Sequence, residues 1–293
     1  MARGIDHIVH AVRDLDAAAA LYRSLGFQVG ARNTHPPAWG TQNHVVQLQD
    51  CFVELLTVAE PSGITPHGLR FFSFGAHNRD ALARGEGLSM LVLEGKDTAA
   101  EAHAFREAGI GDFDTFDFER EGRRPDGTAI KVAFSLAFAR DPQAQDVGFF
   151  TCRQHFLENF WNAAFQLHPN TAIRVAGVVL VAAKPSDHRR FLTAFTGVGE
   201  AAVSSDGMNL PTPRGDIDVM AAASFERRFG VKAPDTGRGA QLAALRIAVT
   251  NWDMANTVLR ESGLHLHENL GKLIVGPESA MGTTLVFEPL RPQ

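Results

Sequence analysis

Two polar side chains near the N-terminus could take part in chemistry, because each lies among apolar residues of a predicted strand. His7 lies in the run IDHIVHA, on the strand face that alternation also assigns to Val9. Glu54 lies between Phe52 and Leu56 on one face of a later strand. Because an unpaired carboxylate is costly to bury, Glu54 needs a cation or a hydrogen-bond donor beside it. A hydrogen bond with His7 is one candidate, and a bound cation is the other.

The elements that would position these side chains recur four times along the chain. Each unit begins with an apolar strand, near residues 4, 88, 175 and 243, and continues through a polar turn into a helix. An aspartate suited to capping the helix and a glycine suited to ending it flank each helix. The four pairs are Asp16 and Gly26, Asp97 and Gly109, Asp187 and Gly197, and Asp253 and Gly263.

Short strand-like runs follow each helix, at 27–31, 44–49 and 52–58 in the first unit and at 113–118, 129–139 and 148–154 in the second. A single unit of strand, helix and three strands cannot cover its own sheet, so the units should pair. We therefore predict an α+β fold in which four βαβββ units form two half-closed curved sheets. The predicted domains are residues 1–170 and 171–293, and the connection 61–86 should pack against the first sheet.

The composition is that of a soluble globular protein. Of the 293 residues, 45% are apolar and 21% are charged, and the net charge of −5 comes without a basic cluster, which argues against nucleic acid as a partner. The apolar run 175–183 is too short to span a membrane, and the first residues do not resemble a secretion signal. With only Cys51 and Cys152, a disulfide framework is not expected, and we predict a cytoplasmic protein, either monomer or homodimer.

Over residues 4–58 the sequence resembles the vicinal oxygen chelate superfamily, and more narrowly its glyoxalase-like domain proteins of the lactoylglutathione lyase type. The segments that carry the resemblance are GIDHIVHAVRDLDAAAALYRSLGF, HPPAWGTQNHVVQL and CFVELLTV, and it continues weakly through FFTCRQHFLENFW. The resemblance implies the glyoxalase/bleomycin resistance/dihydroxybiphenyl dioxygenase fold, with a site on the inner face of a curved sheet. Because chemistry varies widely on this fold, the resemblance does not fix the reaction.

The resemblance also implies that His7 and Glu54 are metal ligands, and that both take part in catalysis. Their nitrogen and oxygen donors suit Zn, Ni, Fe or Mn. His155 is the first choice for a third ligand. Alignment of the second unit places Met90 and Cys152 at the positions that correspond to His7 and Glu54, so these two residues are expected to contact substrate.

Two further residues are expected to contact the substrate. His44 lies on a strand beside this predicted site, and Arg153 could bind a carboxylate; Arg123 and Arg124 are weaker choices because RPDG favours a turn. His35 lies in a proline-rich loop, where a solvent-exposed side chain is expected. The first strands of the third and fourth units carry Val178 and Ala244 instead of histidine, so the second domain is expected to bind no metal.

Three functions follow from these residues and the resemblance. The first is a metal-dependent lyase or isomerase that acts on a small molecule with neighbouring oxygen atoms. The second is a metal-free protein that binds or sequesters a small molecule in the same site. The third is an extradiol-type dioxygenase, which the single tyrosine, Tyr22, disfavours because that chemistry usually employs a tyrosine beside the metal.

Overall fold

The computed structural model describes residues 1–123 and 128–290, which form two eight-stranded mixed sheets with helices packed against them. The strands of the first sheet are β1 (Ile5–Ala11), β2 (Asn33–Thr34), β3 (Thr41–Gln47), β4 (Phe52–Val58), β5 (Gly87–Glu94), β6 (Phe116–Arg123), β7 (Ala129–Ala139) and β8 (Gly148–Gln154). Those of the second are β9 (Ala172–Val181), β10 (Ala202–Ser204), β11 (Gly207–Pro211), β12 (Asp216–Met220), β13 (Gln241–Val249), β14 (Leu266–Asn269), β15 (Lys272–Val275) and β16 (Thr284–Pro289).

Seven α-helices lie in the described part of the chain. They are α1 (Leu15–Ser24), α2 (Phe74–Arg84), α3 (Thr98–Glu107), α4 (Leu157–Phe160), α5 (Arg189–Thr196), α6 (Ala222–Phe229) and α7 (Trp252–Glu261). Within the same residues, no helix is both long enough and apolar enough to cross a membrane.

The two sheets have the same strand order when the strands are counted from the first strand of each sheet. The first sheet runs β2-β3-β4-β1-β5-β8-β7-β6, and the second runs β10-β11-β12-β9-β13-β16-β15-β14. Within a unit the first and last strands are parallel neighbours, and the first strands of paired units are antiparallel neighbours at the centre of the sheet. The predicted pairing of four βαβββ units into two curved sheets is therefore confirmed. The domain boundary at residue 170 stays a prediction.

Three of the four helix starts follow the predicted pattern with small shifts. The prediction for the third unit was wrong, because Asp187 lies inside the 3₁₀ turn Pro185–His188 and does not cap α5. Asp14, two residues before Asp16, caps α1 by accepting from the amides of Asp16 and Ala17, and Asn251 caps α7 in the same way. Asp97 caps α3 as expected. Gly26 follows α1 with a φ of +81°, and a Cβ there would lie 2.5 Å from a side-chain carbon of Val258, so the position requires glycine.

One face of each sheet packs into a single shared core together with the helices. This core includes Ile8 of β1, Leu91 of β5, Leu180 of β9 and Leu245 of β13, all essentially inaccessible to solvent. The opposite face of each sheet carries its own separate cluster. We call these opposite faces the inner faces. The sequence places His7 and Glu54 on the inner face of the first sheet.

Two local elements differ from the sequence predictions. The predicted strand 27–31 is absent, and the second strand is the short β2. The backbone of Gly30 is bonded differently: its amide donates to the carbonyl of Val45, and its carbonyl binds the side chain of His44. The connection 61–86 contains α2, whose Phe74 packs on the inner face of the first sheet as that segment was expected to do.

Candidate active site

A cavity of about 720 Å³ lies on the inner face of the first sheet. Aromatic side chains form much of its wall, and a few polar groups form its base. The aromatic residues are Trp39, Phe52, Phe74, Phe118, Phe134, Phe150, Phe160, Trp161 and Phe165. A cavity of this size with mostly apolar walls and a few polar groups is typical of a site for a small molecule.

His7 lies at the base of this cavity and is held in one orientation. Its ring stacks on Phe52 at 4.3 Å between centroids, and its Nδ1 lies 2.6 Å from Oδ1 of Asp6. Because a carboxylate only accepts hydrogen bonds, Nδ1 carries the proton of this bond, and Nε2 is left without a hydrogen bond among the described residues. Asp6 is held in turn by Gln154, whose amide donates to Oδ2 at 3.0 Å.

A β-bulge explains how two consecutive residues of one strand can meet. Side chains normally alternate between the faces of a sheet, so Asp6 and His7 should point to opposite sides. In the pairing of β1 with β5, Ile5 lies opposite Leu93 and His7 lies opposite Val92, which leaves Asp6 without a partner. The extra residue redirects the Asp6 side chain toward His7.

Glu54 lies beside His7 because β4 is the parallel neighbour of β1. Its Oε2 lies 3.8 Å from His7 Nε2, and both side chains are only 6% exposed. That distance is too long for a direct hydrogen bond. Within the described part of the chain neither atom has a hydrogen-bond partner, so both are available to a molecule bound in the cavity.

The other oxygen of Glu54 belongs to a polar network. The side-chain amide of Asn43 donates to Glu54 Oε1 and lies 3.2 Å from His35 Nε2, which accepts its second hydrogen. Asn33 donates to the carbonyl of the same amide at 3.1 Å, which fixes the orientation of Asn43. His35 Nδ1 is hydrogen-bonded to Thr41 at 2.8 Å. The network therefore orients Glu54 while leaving Oε2 free.

His35 differs from its sequence prediction, because its side chain is 8% exposed instead of lying in solvent. Burial lowers the pKa of His35, although the neighbouring charge of Glu54 opposes this effect, and Arg120 and His7 add to the lowering. His35 is therefore neutral at pH 7, in agreement with its Nε2 accepting from Asn43.

The donor atoms fit a divalent metal in type but not in arrangement. Within residues 1–123 and 128–290, no group of three or more His, Cys, Asp and Glu side chains is placed so that it could hold an ion. Asn43 donates to His35 Nε2 and Glu54 Oε1, whereas His7 Nε2 and Glu54 Oε2 face each other at 3.8 Å and supply only two donor atoms. The described residues therefore do not form a complete metal site.

Two of the predicted histidines lie outside the cavity. His44 faces the opposite side of β3 and binds the carbonyl of Gly30 at 2.8 Å, while its odd-numbered neighbours Asn43, Val45 and Gln47 line the cavity. His155, the predicted third ligand, is exposed and lies 2.8 Å from the hydroxyl of Ser135. Ser135 alternates with the cavity residues Phe134 and Leu136, so it faces away from them.

Of the other predicted substrate contacts, one lines the cavity and two do not. Cys152 lines the cavity, and burial raises the pKa of its thiol well above the ordinary value, with the charges of Asp6 and Glu54 acting in the same direction. Met90 is fully buried behind the cavity, near Asn78. Arg153 is exposed and does not line the cavity. The side chains of Arg123 and Arg124 lie outside the described residues.

Four residues of the site were missed by sequence reasoning: Asp6, Asn43, His35 and Arg120. The signal for Asn43 and Arg120 was present, because Asn43 alternates with Val45 and Gln47, and Arg120 alternates with Phe116 and Phe118. Asp6 depends on a bulge and His35 on the folding of a loop, and neither is visible in a pattern of alternation.

A short segment that includes α4 and the following 3₁₀ turn Ala163–Gln166 forms one side of the cavity. Gln47 of β3 holds it with both ends of its side-chain amide. Nε2 donates to the carbonyl of Phe160 at 2.6 Å, and Oε1 accepts from the amide of Asn162 at 3.0 Å. Gln47 therefore fixes the position of Phe160 and Trp161 over the site.

Comparison with known families identifies a match over most of the chain. A family model described as a glyoxalase-like domain matches residues 5–196. A search of curated proteins gives no match.

Solved structures with the same fold have low sequence identity. A hypothetical protein from Staphylococcus aureus has a TM-score of 0.67 at 12% identity, over 98% of this chain and 100% of that one. A triple mutant of 4-hydroxymandelate synthase from Streptomyces coelicolor has a TM-score of 0.59 at 11% identity, over 100% and 94%. A fusion of a xylose isomerase-like TIM barrel with 4-hydroxyphenylpyruvate dioxygenase has a TM-score of 0.54 at 12% identity, over 100% and 50%. At such identities the likeness concerns the fold alone.

Proposed function

Because the chain belongs to the family of glyoxalase-like domains within the vicinal oxygen chelate superfamily, we propose that its first sheet carries the active site of a lyase or isomerase. The substrate is a small molecule with neighbouring oxygen atoms, and the reaction moves a proton between adjacent atoms of that molecule. The single observation that carries this proposal is the pair His7 Nε2 and Glu54 Oε2, which lie 3.8 Å apart at the base of the cavity.

The geometry supports separate roles for the two groups. Glu54 Oε2 accepts the proton from a carbon that carries a hydroxyl next to a carbonyl, and later returns it to the adjacent carbon. His7 Nε2 accepts the proton of that hydroxyl and returns it to the neighbouring carbonyl oxygen. Asp6 keeps the His7 proton on Nδ1, and the Asn43 network holds Glu54 in place. Two bonded substrate atoms can approach both groups at once, because the groups are separated by about the span of a small bound fragment.

The resemblance implies a divalent metal, but the described residues do not form a complete site for one, and the proposal does not include it. His155, its proposed third ligand, lies away from His7 and Glu54, and no step in the proposed proton transfer depends on a metal. The cytoplasmic location and the choice between monomer and homodimer stay predictions.

A binding protein without catalytic activity is the second candidate. The observation that favours it is the aromatic wall, in which Trp39 stacks on Phe74 at 4.4 Å and Phe118 stacks on Phe134 at 5.7 Å. Such walls hold a planar molecule without any chemistry. The dioxygenase reading has less support, because Tyr22 is fully buried against His10 and does not line the cavity.

Deuterium exchange from solvent separates these candidates. The probes are hydroxyacetophenone and the hemithioacetal of phenylglyoxal with glutathione, followed by proton NMR at the carbon next to the carbonyl. We expect wild-type protein to accelerate exchange in at least one of the probes. We expect Glu54→Gln to lower this exchange rate by about 10²–10⁴-fold. His155→Asn is the matched control and should retain it. Exchange that Glu54→Gln leaves unchanged would contradict the proposal, and binding without exchange would favour the binding protein.

A further inference from the structure

Arg120 places a positive charge on the wall of the cavity. It follows Phe116 and Phe118 at alternate positions of β6, so the three side chains share one face, and both Phe118 and Arg120 line the cavity. Arg120 is half-buried. Within residues 1–123 and 128–290, no hydrogen-bond acceptor or carboxylate pairs with its guanidinium.

An arginine in this position is unusual because its charge is partly removed from water without compensation. Most partly buried guanidinium groups pair with a carboxylate or several carbonyl oxygens. Burial lowers the pKa of Arg120, which reports the same loss of solvation, but the group stays charged at neutral pH. The wall therefore offers a fixed cation to a ligand.

The charges of the other lining residues restrict the ligand to a monoanion. Among the described residues that line the cavity, Arg120 is the only lysine or arginine, while Glu54 and Glu158 are acidic. A dianion such as a phosphate monoester would meet one cation and two carboxylates. A single carboxylate needs only the one guanidinium, with which it forms a planar pair of hydrogen bonds.

The remaining walls favour an aromatic ring as the neutral part of this ligand. Trp39 lies 5.3 Å from Phe118 between ring centroids, so the aromatic cluster extends along β6 toward Arg120. Phe160 packs on Phe52 at 5.0 Å on the other side of the cavity. A planar ring between these surfaces gains both apolar burial and ring contacts.

We propose that the cavity is a binding site for an aromatic monocarboxylate, in which Arg120 binds the carboxylate and the aromatic walls hold the ring. Where the bound molecule also reacts, this inference rests on the proposed function and names its substrate class. The binding itself does not depend on the reaction, so the two can fail separately.

Titration calorimetry with matched ligands tests the site. Phenylacetate and phenylbutanoate are compared with their primary amides, which have the same ring and nearly the same shape but no charge, and with phenyl phosphate. We expect at least one acid to bind wild-type protein at least about tenfold more tightly than its amide. We also expect the acid to bind more tightly than phenyl phosphate.

Variants assign the preference to one side chain. Arg120→Gln should abolish the difference between acid and amide, Arg120→Lys should keep part of it, and Arg153→Gln should leave it unchanged because Arg153 is exposed away from the cavity. His7→Asn should retain binding even though it loses proton exchange. A thermal melt checks that each variant is folded.

Three results would overturn the inference: equal binding of acids and amides by wild-type protein, an acid preference that survives in folded Arg120→Gln, or tighter binding of phenyl phosphate. If wild-type protein binds the acid but does not accelerate deuterium exchange, the proposed function is wrong and this inference is unaffected.

Discussion

The carboxylate of Asp6 and the imidazole of His7 are hydrogen-bonded at 2.6 Å although they are consecutive residues of one strand. The bulge in β1 makes this contact possible, and it fixes the ring so that Nε2 is left for a bound molecule. A carboxylate that orients a histidine in this way contributes to proton transfer without touching the substrate.

Replacement of Asp6 should therefore slow the reaction without weakening binding. In Asp6→Asn the amide can donate to Nδ1, which favours the tautomer with the proton on Nε2 and removes the base. We expect kcat to fall by about 10- to 10⁴-fold with little change in KM. The measurement is the exchange rate as a function of substrate concentration and pH. An unchanged kcat with a raised KM would instead indicate a purely structural role.

Metal content can be measured directly. We expect protein purified without a histidine tag to contain less than one equivalent of Zn, Ni, Fe or Mn, because the described residues place no group of three or more His, Cys, Asp and Glu side chains where they could hold an ion. The measurement is elemental analysis by mass spectrometry, before and after dialysis against a chelator. One tightly held ion per chain, lost in His7→Asn and kept in His155→Asn, would contradict this expectation.

Removal of the Gln47 side-chain amide should loosen the segment that covers the cavity. Gln47→Leu deletes both hydrogen bonds to residues 160 and 162 and leaves their backbone groups unpaired. We expect faster hydrogen exchange in a peptide spanning residues 156–167 and weaker ligand binding. Gln42→Leu is the control, because the hydrogen bond that its side chain accepts comes from Arg32 at 3.4 Å and not from the segment over the cavity. Equal exchange in the two variants would show that Gln47 does not hold the segment.

The second sheet carries a buried ion-pair network on its inner face. Arg246 of β13 binds Asp218 at 2.8 Å and Glu288 of β16 at 2.7 Å, and Lys272 also binds Glu288. The pKa of Glu288 is lowered, since the bonds from Arg246 and Lys272 outweigh the opposing effect of burial. This network gives a physical reason for the expectation that the second domain binds no metal, which stays a prediction.

Breaking this network should destabilise the fold. Arg246→Met removes the cation that the two buried carboxylates share, although Lys272 still binds Glu288 and Arg228 still lies 3.6 Å from Asp218. Loss of one partner from a buried network costs up to about 3–5 kcal/mol in the free energy of unfolding. Arg260→Gln breaks an exposed pair with Glu268 and an exposed hydrogen bond to Asn256, and should cost less than about 1 kcal/mol. Urea unfolding of both variants tests the difference. Equal losses would show that the network does not stabilise the second sheet.

Stability should fall in mild acid because of a buried histidine. Burial lowers the pKa of His77 from 6.5 to about 4, despite its bond to the carbonyl of Ser89. Below pH 6.5 the unfolded chain takes up a proton at this ring, whereas the folded chain does not until about pH 4. Unfolding therefore becomes easier over that window, by up to about 3 kcal/mol from this group.

Thermal melting between pH 7.5 and pH 4 measures this loss. We expect His77→Gln to have a smaller decrease in melting temperature over the window than the wild-type protein. His103→Gln is the control, because His103 is exposed. A decrease in His77→Gln as large as in wild type would assign the acid sensitivity to other groups.

Local sequence patterns predicted most of the fold, because strand alternation and glycine stops depend only on neighbouring residues. Alternation assigned His7 and Glu54 each to a strand face, but the family resemblance was needed to bring them into one site. The structure places them side by side because β1 and β4 are parallel neighbours. The prediction that His44 lies beside the site was wrong. Val46 and Leu48, which share its strand face, belong to the shared core, so this face points away from the cavity. Asp6 and His35 could not be predicted, because a bulge and a loop conformation depend on contacts distant in sequence.

The central claim is that His7 and Glu54 transfer a proton in the cavity of the first sheet. Its most direct test is the deuterium exchange rate of para-carboxylated hydroxyacetophenone, measured in chelator for wild-type protein and for His7→Asn. We predict exchange above the solvent rate in wild type and a loss of about 10²-fold or more in the folded variant. Equal rates in the two proteins, or no exchange above solvent in wild type, would contradict the claim.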